Sequence, residues 1–460
     1  MSAYRIAFGT SGWRERMDSG FDDANVLRAA QGIGEYLRAE NGTGTVVVGY
    51  DARKNSGHFA ELVCGVMSSL GFGTKLTDRP TPTPVVSFTT MRGAVGGIAV
   101  TASHNPPIYN GIKFIASTGA TPLKEVTDRI SSYMPEGAVE PSACRADRID
   151  PKQDYLAALS RRFDLSGVKG MRVVVDTLHG AGSGYLADLL GRHGAEVHEL
   201  HKSYDPDFGG LSPNPSEDNV KELVAAVRDL GADIGIANDG DADRFAIVDG
   251  AGKYYTANES GLMMCDYLFG YRHEVGSVAK SIQTTAALDR LCAKYGVGFV
   301  EVQVGFKNIA RELMNGAVFG IEGAAQGVAF GNWIPDKDGI AAGALMCEMI
   351  AKEGVPLQEI WKRVSHDFGY GQFLTVSMEK RAGMSNRLQE LGGMQIGDSF
   401  AGMRITGRSF LDGVKLSLDD GAWVLVRESG TEALVRAYVE AKTDDEAHGL
   451  ADAVRRFVES

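Results

Sequence analysis

The segment TASHNPPIYNGIKF, Thr101 to Phe114, sets one hydroxyl, Ser103, beside His104, with Lys113 further along. A serine so placed can act as a nucleophile or carry a phosphoryl group, and a nearby imidazole or ammonium supplies a proton or a charge. Pro106 and Pro107 forbid helix continuation and bias Asn105 toward extended backbone, while Asn110-Gly111 predicts a tight turn. The loop is therefore stiff, as a loop that presents a reactive hydroxyl must be. The same residues also fit a surface turn whose serine bonds only to backbone.

A second segment, NDGDADRF from Asn238 to Phe245, alternates Asp239, Asp241 and Asp243. Carboxylates at this spacing can converge on one hard cation, for which Mg²⁺ fits best, and Arg244 is then available to a phosphate. An EF-hand is not indicated, because the segment follows an apolar strand and leads into another, FAIVDGAGKYY. A solvated acidic turn is the plainer reading, but without a cation three crowded carboxylates repel one another. Near the C-terminus, WVLVRESGTEALVRAYVEA predicts a strand over Trp423–Val426, then Arg427, Ser429, Gly430, Thr431 and, further on, Arg436. Two guanidinium groups and the N–H groups of a Ser-Gly-Thr turn make a phosphate site. Ser429 and Glu432 also match a capping box, which predicts a helix start; the two readings are compatible. A phosphorylatable serine, a cation site and a separate cationic loop together describe phosphoryl transfer on a substrate held by a second phosphate. Such an arrangement can move phosphate between two positions of one molecule.

Short apolar strands such as TVVVGYD and MRVVVDTLHGAG alternate with amphipathic helical patterns such as HFAELVCGVMSSLG and SGYLADLLGRHG, which is α/β architecture. GAVGGIAV from Gly93, GADIGIAN from Gly231 and GAVFGIEG from Gly316 share the frame G-A-x-x-G-I. Each reads as a buried strand running into a polar loop, suggesting three related α/β domains that offer their strand-end loops to one cleft. With 460 residues, 44% of them hydrophobic, the chain is long enough for several such domains. Its formal net charge of −12 argues against nucleic-acid or membrane-surface partners. Five scattered cysteines without a C-x-x-C pair indicate neither a disulfide framework nor zinc, and read as reduced core thiols. No apolar run or leader pattern is evident at the N-terminus MSAYRIAFGTSG, so a soluble cytoplasmic protein is expected.

These motifs, with FGTSGWR at Phe8–Arg14 and VGFK at Val304–Lys307, resemble in order and over nearly the whole length the α-D-phosphohexomutase superfamily of phosphoglucomutases and phosphomannomutases. The resemblance implies four domains around a central cleft, three of mixed α/β type and a C-terminal α+β domain with an antiparallel sheet. The expected divisions are 1–150 for the serine loop, 151–252 for the metal loop, 253–367 for sugar recognition and 368–460 for phosphate binding. It implies that Ser103 carries the phosphoryl group and binds Mg²⁺ together with Asp239, Asp241 and Asp243. It further implies reversible transfer between the 1- and 6-positions of glucose or mannose phosphate, through a sugar bisphosphate that serves as intermediate and activator. Arg427, Ser429, Gly430, Thr431 and Arg436 would hold the phosphate that is not reacting. Arg14, His104, Lys113 and Lys307 match positions near the reacting groups, and Lys113 is the first candidate for proton transfer or, alternatively, for charge alone. His179 in DTLHGAG reads as structural.

One motif departs from the pattern. Where relatives carry G-E-x-S-G to bind sugar hydroxyls, this chain reads IEGAAQGVAFG, Ile321–Gly331, with Gly323, Ala324 and Ala325 at the places of two glutamates and a serine. Loss of carboxylates there weakens discrimination between vicinal hydroxyls. Glu322 from a shifted loop, or Gln326 toward a differently substituted sugar, are the candidate replacements. The open alternatives are a pentose or amino sugar phosphate as acceptor, release of the bisphosphate as product, or a non-catalytic sugar-phosphate sensor.

Overall fold

The computed structural model describes residues 4–9, 12–429 and 433–460. The G-A-x-x-G-I repeat is a structural repeat. Its three copies end in the strands Gly96–Val100, Ile234–Asn238 and Ala317–Glu322, all fully buried. Each pairs parallel with an earlier strand of its unit, Thr45–Tyr50, Arg172–Asp176 or Ser277–Ser281. Each pairs antiparallel on its other side with the strand that follows it, Tyr109–Ala116, Phe245–Asp249 or Gly327–Phe330. A further parallel strand, Gly73–Thr77, Glu196–Leu200 or Phe299–Val302, lies beyond the earlier strand in each unit. Strands buried on both faces need continuous apolar runs such as TVVVGY, because helices cover each side of the sheet. The loops that leave the repeat strands at their carboxyl ends hold Ser103, the three aspartates, and the 323–326 turn.

Helix boundaries follow local chemistry. Asp22 accepts from Asn25 N to start Asp23–Asn41, and Thr256 with Glu259 forms a capping box for Ala257–Asp266. Thr443 and Glu446 do the same for the last helix, Asp444–Glu459. No helix runs over 434–441 after Ser429 and Glu432; Gly430, Thr431 and Glu432 themselves lie outside the described residues. Leu434–Ala441 is a strand paired antiparallel with both Trp423–Glu428 and Gln372–Glu379, and Ser429 N donates to Leu434 O. Its alternating Val435, Ala437 and Val439 bury one face against the fourth core, and this period-2 pattern overrides the local cap signal.

The Asn110-Gly111 turn also does not form. Both residues lie inside the strand Tyr109–Ala116, paired with Trp13–Arg16 on its outer side. A Cβ on Gly111 would stand 2.5 Å from Thr101 O and 2.7 Å from Trp13 O, so the glycine serves close strand approach. The chain instead reverses within 103–108. Of the cysteines, Cys64, Cys265, Cys292 and Cys347 are buried thiols as expected, whereas Cys144 is exposed.

One apolar core runs through the second and third units and includes Val85 and Phe88 of the first. The helix Gly339–Glu353 lies in it, with Asp338 capping its start. The fourth unit is a six-stranded sheet, antiparallel throughout, docked on the third. Lys415 Nζ donates to Ile282 O, and the buried Glu440 accepts from Thr285 Oγ1, Ala286 N and Trp423 Nε1. Among the described residues no helix is long and apolar enough to cross a membrane.

Candidate active site

Ser103 sits just beyond the strand Gly96–Val100, buried, with φ 53°. That left-handed backbone costs an ordinary residue about 1–3 kcal/mol and persists only where surroundings impose it. They do so here. Ser103 N donates to Thr101 Oγ1 at 2.8 Å, and Thr101 Oγ1 donates to Asp51 Oδ2 at 2.6 Å. Asp51 also accepts from Arg53 Nε at 3.0 Å. The buried Arg53 guanidinium then donates to the carbonyls of Ser103 and Asn105, each at 2.6 Å, and to those of Pro106 and Tyr109. The loop is therefore tied from within by one side chain.

The hydroxyl faces the second unit. Ser103 Oγ donates to Asp239 Oδ2 at 2.6 Å, with His104 Nδ1 3.4 Å away. Gly240 permits this approach, since a Cβ there would meet Ser103 O at 2.8 Å. Asp239, Asp241 and Asp243 each bring a carboxylate oxygen within 4.8 Å of the others. Burial, reinforced by the charges of Asp241 and Asp243, pushes the Asp239 carboxyl up to about 8. Against its own burial, Asp243 is held well below the usual carboxylate range by Lys113, Lys337 and Arg244. Lys113 Nζ reaches Asp241 Oδ2 at 2.5 Å and Asp243 Oδ2 at 2.8 Å. Burial disfavours its charge, but the two carboxylates prevail and raise it. The donor set fits a hard dication. It is all oxygen, and Asp241 Oδ1 and Asp243 Oδ1 are buried without a hydrogen-bond partner.

Arg14 lies across the serine loop, donating to Asn105 Oδ1 at 3.0 Å, and its charge is disfavoured by burial and by Arg244. Burial, then Arg244 and Arg14, hold the His104 imidazole well below its ordinary value, hence neutral. Arg244 N donates to Asp239 Oδ1, while its buried Nε has no hydrogen-bond partner. Glu322, at the end of its repeat strand, accepts from Gly305 N at 3.0 Å and from Gln283. Burial raises its carboxyl, opposed by the Gly305 bond and by Lys337, Arg244 and Arg427.

Other expected residues stand further off. Gln326, at φ 54°, donates to Pro215 O and Tyr254 Oη of the second unit. Lys307 is half-buried on the helix Phe306–Met314, among the charges of Glu125, Lys124 and Asp128. Arg427 and Arg436 are direct cross-strand partners, and Arg427 Nε donates to Asp412 Oδ1 at 3.1 Å. Gly430 and Thr431 lie outside the described residues. His179 Nδ1 donates to Ser203 O and the ring lies against that of His201.

Sequence reasoning missed Asp51, Arg53, Thr83 and Lys337. Thr83 Oγ1 donates to Asp241 Oδ2, and Lys337 Nζ lies 3.3 Å from Asp243 Oδ2. The signal for Asp51 and Arg53 was a D-x-R step directly after the buried TVVVGY strand, where charges have no other reason to follow. Thr83 has no comparable signal.

Four family models match in order: domains I, II and III of phosphoglucomutase/phosphomannomutase, each described as alpha/beta/alpha, at 5–139, 153–252 and 256–368, and its C-terminal domain at 378–457. The chain belongs to the phosphoglucomutase/phosphomannomutase family. It is accordingly a phosphohexomutase-type enzyme, an intramolecular phosphotransferase. A "Probable phosphoglucosamine mutase" of Methanopyrus kandleri is 33% identical, over 98% of this chain and 98% of that one. A "Phosphoglucomutase/phosphomannomutase" of Thermococcus kodakarensis is 31% identical over 96% and 95%. A solved "putative phosphomannomutase" of Thermus thermophilus superposes with a TM-score of 0.88 at 31% identity, covering 100% of both chains. In this family's terms the three repeat units are the three α/β/α domains, and the antiparallel sheet is the C-terminal domain.

Proposed function

We propose that the enzyme moves phosphate reversibly between the 1- and 6-positions of a hexose phosphate, glucose or mannose phosphate, by way of a phosphorylated Ser103. The observation that carries this reading is the 2.6 Å contact between Ser103 Oγ and Asp239, inside a ring of buried cations. In the forward step the phosphoserine O–P bond breaks as the sugar's free hydroxyl oxygen bonds to phosphorus, leaving Ser103 as a free hydroxyl and the sugar as a bisphosphate. After the bisphosphate turns over in the cleft, Ser103 Oγ takes the other phosphoryl group and the isomeric monophosphate leaves. The proton lost by one hydroxyl and regained by the other passes through the group beside Ser103, either Lys113 or His104.

Asp239, Asp241 and Asp243 with the Ser103 phosphate would hold Mg²⁺, which supplies charge neutralisation at the transferring group. Magnesium appears with GlcNAc-6P in a solved N-acetylphosphoglucosamine mutase of Aspergillus fumigatus, 15% identical with a TM-score of 0.62. Arg14, Lys113 and Arg244 offer their charges to the reacting phosphoryl oxygens. Arg427, Ser429, Gly430, Thr431 and Arg436 hold the second phosphate, and Lys307, Glu322 and Gln326 border the sugar. Sugar bisphosphate primes the dephosphorylated enzyme.

A second reading, an amino sugar phosphate as substrate, draws on the turn after Glu322. It presents the methyl of Ala324 to solvent where hydroxyl-binding carboxylates are expected, and several relatives are named phosphoglucosamine mutases. The deciding experiment is Mg²⁺-dependent interconversion of the 1-phosphates of glucose, mannose, glucosamine, N-acetylglucosamine and ribose, with trace sugar bisphosphate and Ser103→Ala as control. Preferred turnover of glucose or mannose phosphate, abolished in Ser103→Ala, is expected. Preference for glucosamine phosphate selects the second reading, and full turnover by Ser103→Ala overturns the phosphoserine route.

A further inference from the structure

Away from the cleft, at the junction of the second and third domains, lies a hollow of about 610 Å³. That volume is in the range that holds a small metabolite. On the second-domain side it is walled by the end of the helix Lys152–Arg162 and the turn after it, and on the other side by Tyr267–Tyr271 and the helix Gly339–Glu353. None of these residues belongs to the phosphoryl-transfer machinery.

The lining is cationic in a chain of net charge −12. Arg161, Arg162, Arg272 and Lys352 face Asp164 and Glu348, with Glu274 behind Arg162 and Arg272. The carboxylates are already engaged. Asp164 pairs with Lys352 at 2.5 Å, and Glu348 accepts from Tyr267 Oη at 2.9 Å and from Asp164 N at 3.0 Å. Two guanidinium donors are not. Arg162 Nε and Arg272 Nη1 are buried without a hydrogen-bond acceptor, a costly state for groups that can only donate. Arg272 Nη1 comes no nearer than 3.5 Å to Glu348 Oε1.

The aromatic wall is equally specific. Tyr267–Tyr271 is a π-helical turn, a rare departure from α-helix that recurs at functional sites. It stacks the two tyrosine rings with centroids 5.0 Å apart and an interplanar angle of 18°. Tyr267 is buried, while Tyr271 is 50% exposed and so keeps one ring face open. Unmet guanidinium donors select a phosphate, and an open tyrosine face selects a flat ring.

We propose that this hollow is a second ligand site, which binds a small phosphorylated molecule carrying a planar ring, of nucleoside monophosphate class. The Arg162 and Arg272 guanidinium groups take the phosphate, Arg161 adds charge at the rim, and Tyr271 stacks the ring.

Titration calorimetry of the full chain tests this, with adenosine 5′-monophosphate as the probe and adenosine and inorganic phosphate as its separated halves. Saturable binding of the monophosphate is expected, with each half weaker by about tenfold or more. Tyr271→Ala and Arg272→Gln should each weaken it about tenfold, and saturating glucose 1,6-bisphosphate should leave it unchanged. Arg161→Gln, at the rim, covers the case in which Arg272→Gln fails to fold, and should weaken binding several-fold. Absence of saturable binding at millimolar probe, displacement by the bisphosphate, or indifference to all three substitutions would each overturn the proposal. Inorganic phosphate binding as tightly as the nucleotide would overturn it for the ring.

Discussion

Arg53 donates to the carbonyl oxygen of Ser103 at 2.6 Å, although the two residues lie on different loops of the first domain. The same guanidinium reaches three further carbonyls of the serine loop and is anchored by Asp51. A left-handed serine is thus held by a planar fork of donors that no other side chain can reproduce.

Replacing Arg53 with lysine should therefore loosen the loop while keeping the charge. Breaking such a buried, paired guanidinium costs about 3–5 kcal/mol when the partner is left uncompensated, and Arg53→Lys should lose a large part of that. Denaturant unfolding reads the stability, and kcat should fall more than KM rises. Wild-type kcat and stability in Arg53→Lys would show that the carbonyl contacts do not set the loop.

Arg427→Ala removes a cation facing its cross-strand neighbour Arg436. A charge-assisted phosphate contact is worth about 1.5–3 kcal/mol, so KM for any phosphosugar should rise by roughly tenfold to a hundredfold. The loss should appear with all substrates alike, because the group reads phosphate and not sugar. Unchanged KM across the series would remove Arg427 from the phosphate site.

The two partnerless oxygens of Asp241 and Asp243 predict stabilisation by a divalent cation. Millimolar Mg²⁺ should raise the thermal midpoint, chelator should reverse the rise, and Asp241→Asn should abolish it. An identical midpoint with and without Mg²⁺ in the wild type would count against a metal in the triad.

His201 offers a pH signature remote from the cleft. Its hydrogen bond to Asp176, against its partial burial and with the charges of Asp176 and Glu222 adding, raises the imidazole above its ordinary value. A raised value means that the folded state holds the proton more tightly than the unfolded chain. The stabilisation is therefore complete below the ordinary histidine range, about 6.5, and is lost as pH rises through the folded value. The denaturant midpoint of the wild type relative to His201→Gln should shrink between pH 6 and pH 8. A difference independent of pH would show that the contact is not ionic.

Much of the architecture was legible along the chain. The G-A-x-x-G-I frame marked three strands that do occupy equivalent places in three sheets, because a doubly covered strand requires an unbroken small and apolar run. The serine, the aspartates and the arginines near the C-terminus were recognisable because their chemistry is concentrated in short segments. Two local signals are not followed, the turn at Asn110-Gly111 and a helix over 434–441, and in both places a neighbouring strand supplies backbone partners that a local turn or helix would forfeit.

The sequence by itself determined the fold class and the family and marked the candidate reactive groups, since these rest on patterns that neighbouring residues carry. Tertiary structure alone decided which groups meet. Ser103 and Asp239 are 136 residues apart, and Lys113 and Asp243 are 130 apart. Thr83, Lys337 and Arg53 acquire their roles only through contacts across domains or loops, and a residue's partner at such range is set by packing of the whole sheet. Whether Asp241 and Asp243 keep oxygens free for a cation is likewise a property of the assembled core, set by which neighbouring donors reach each carboxylate.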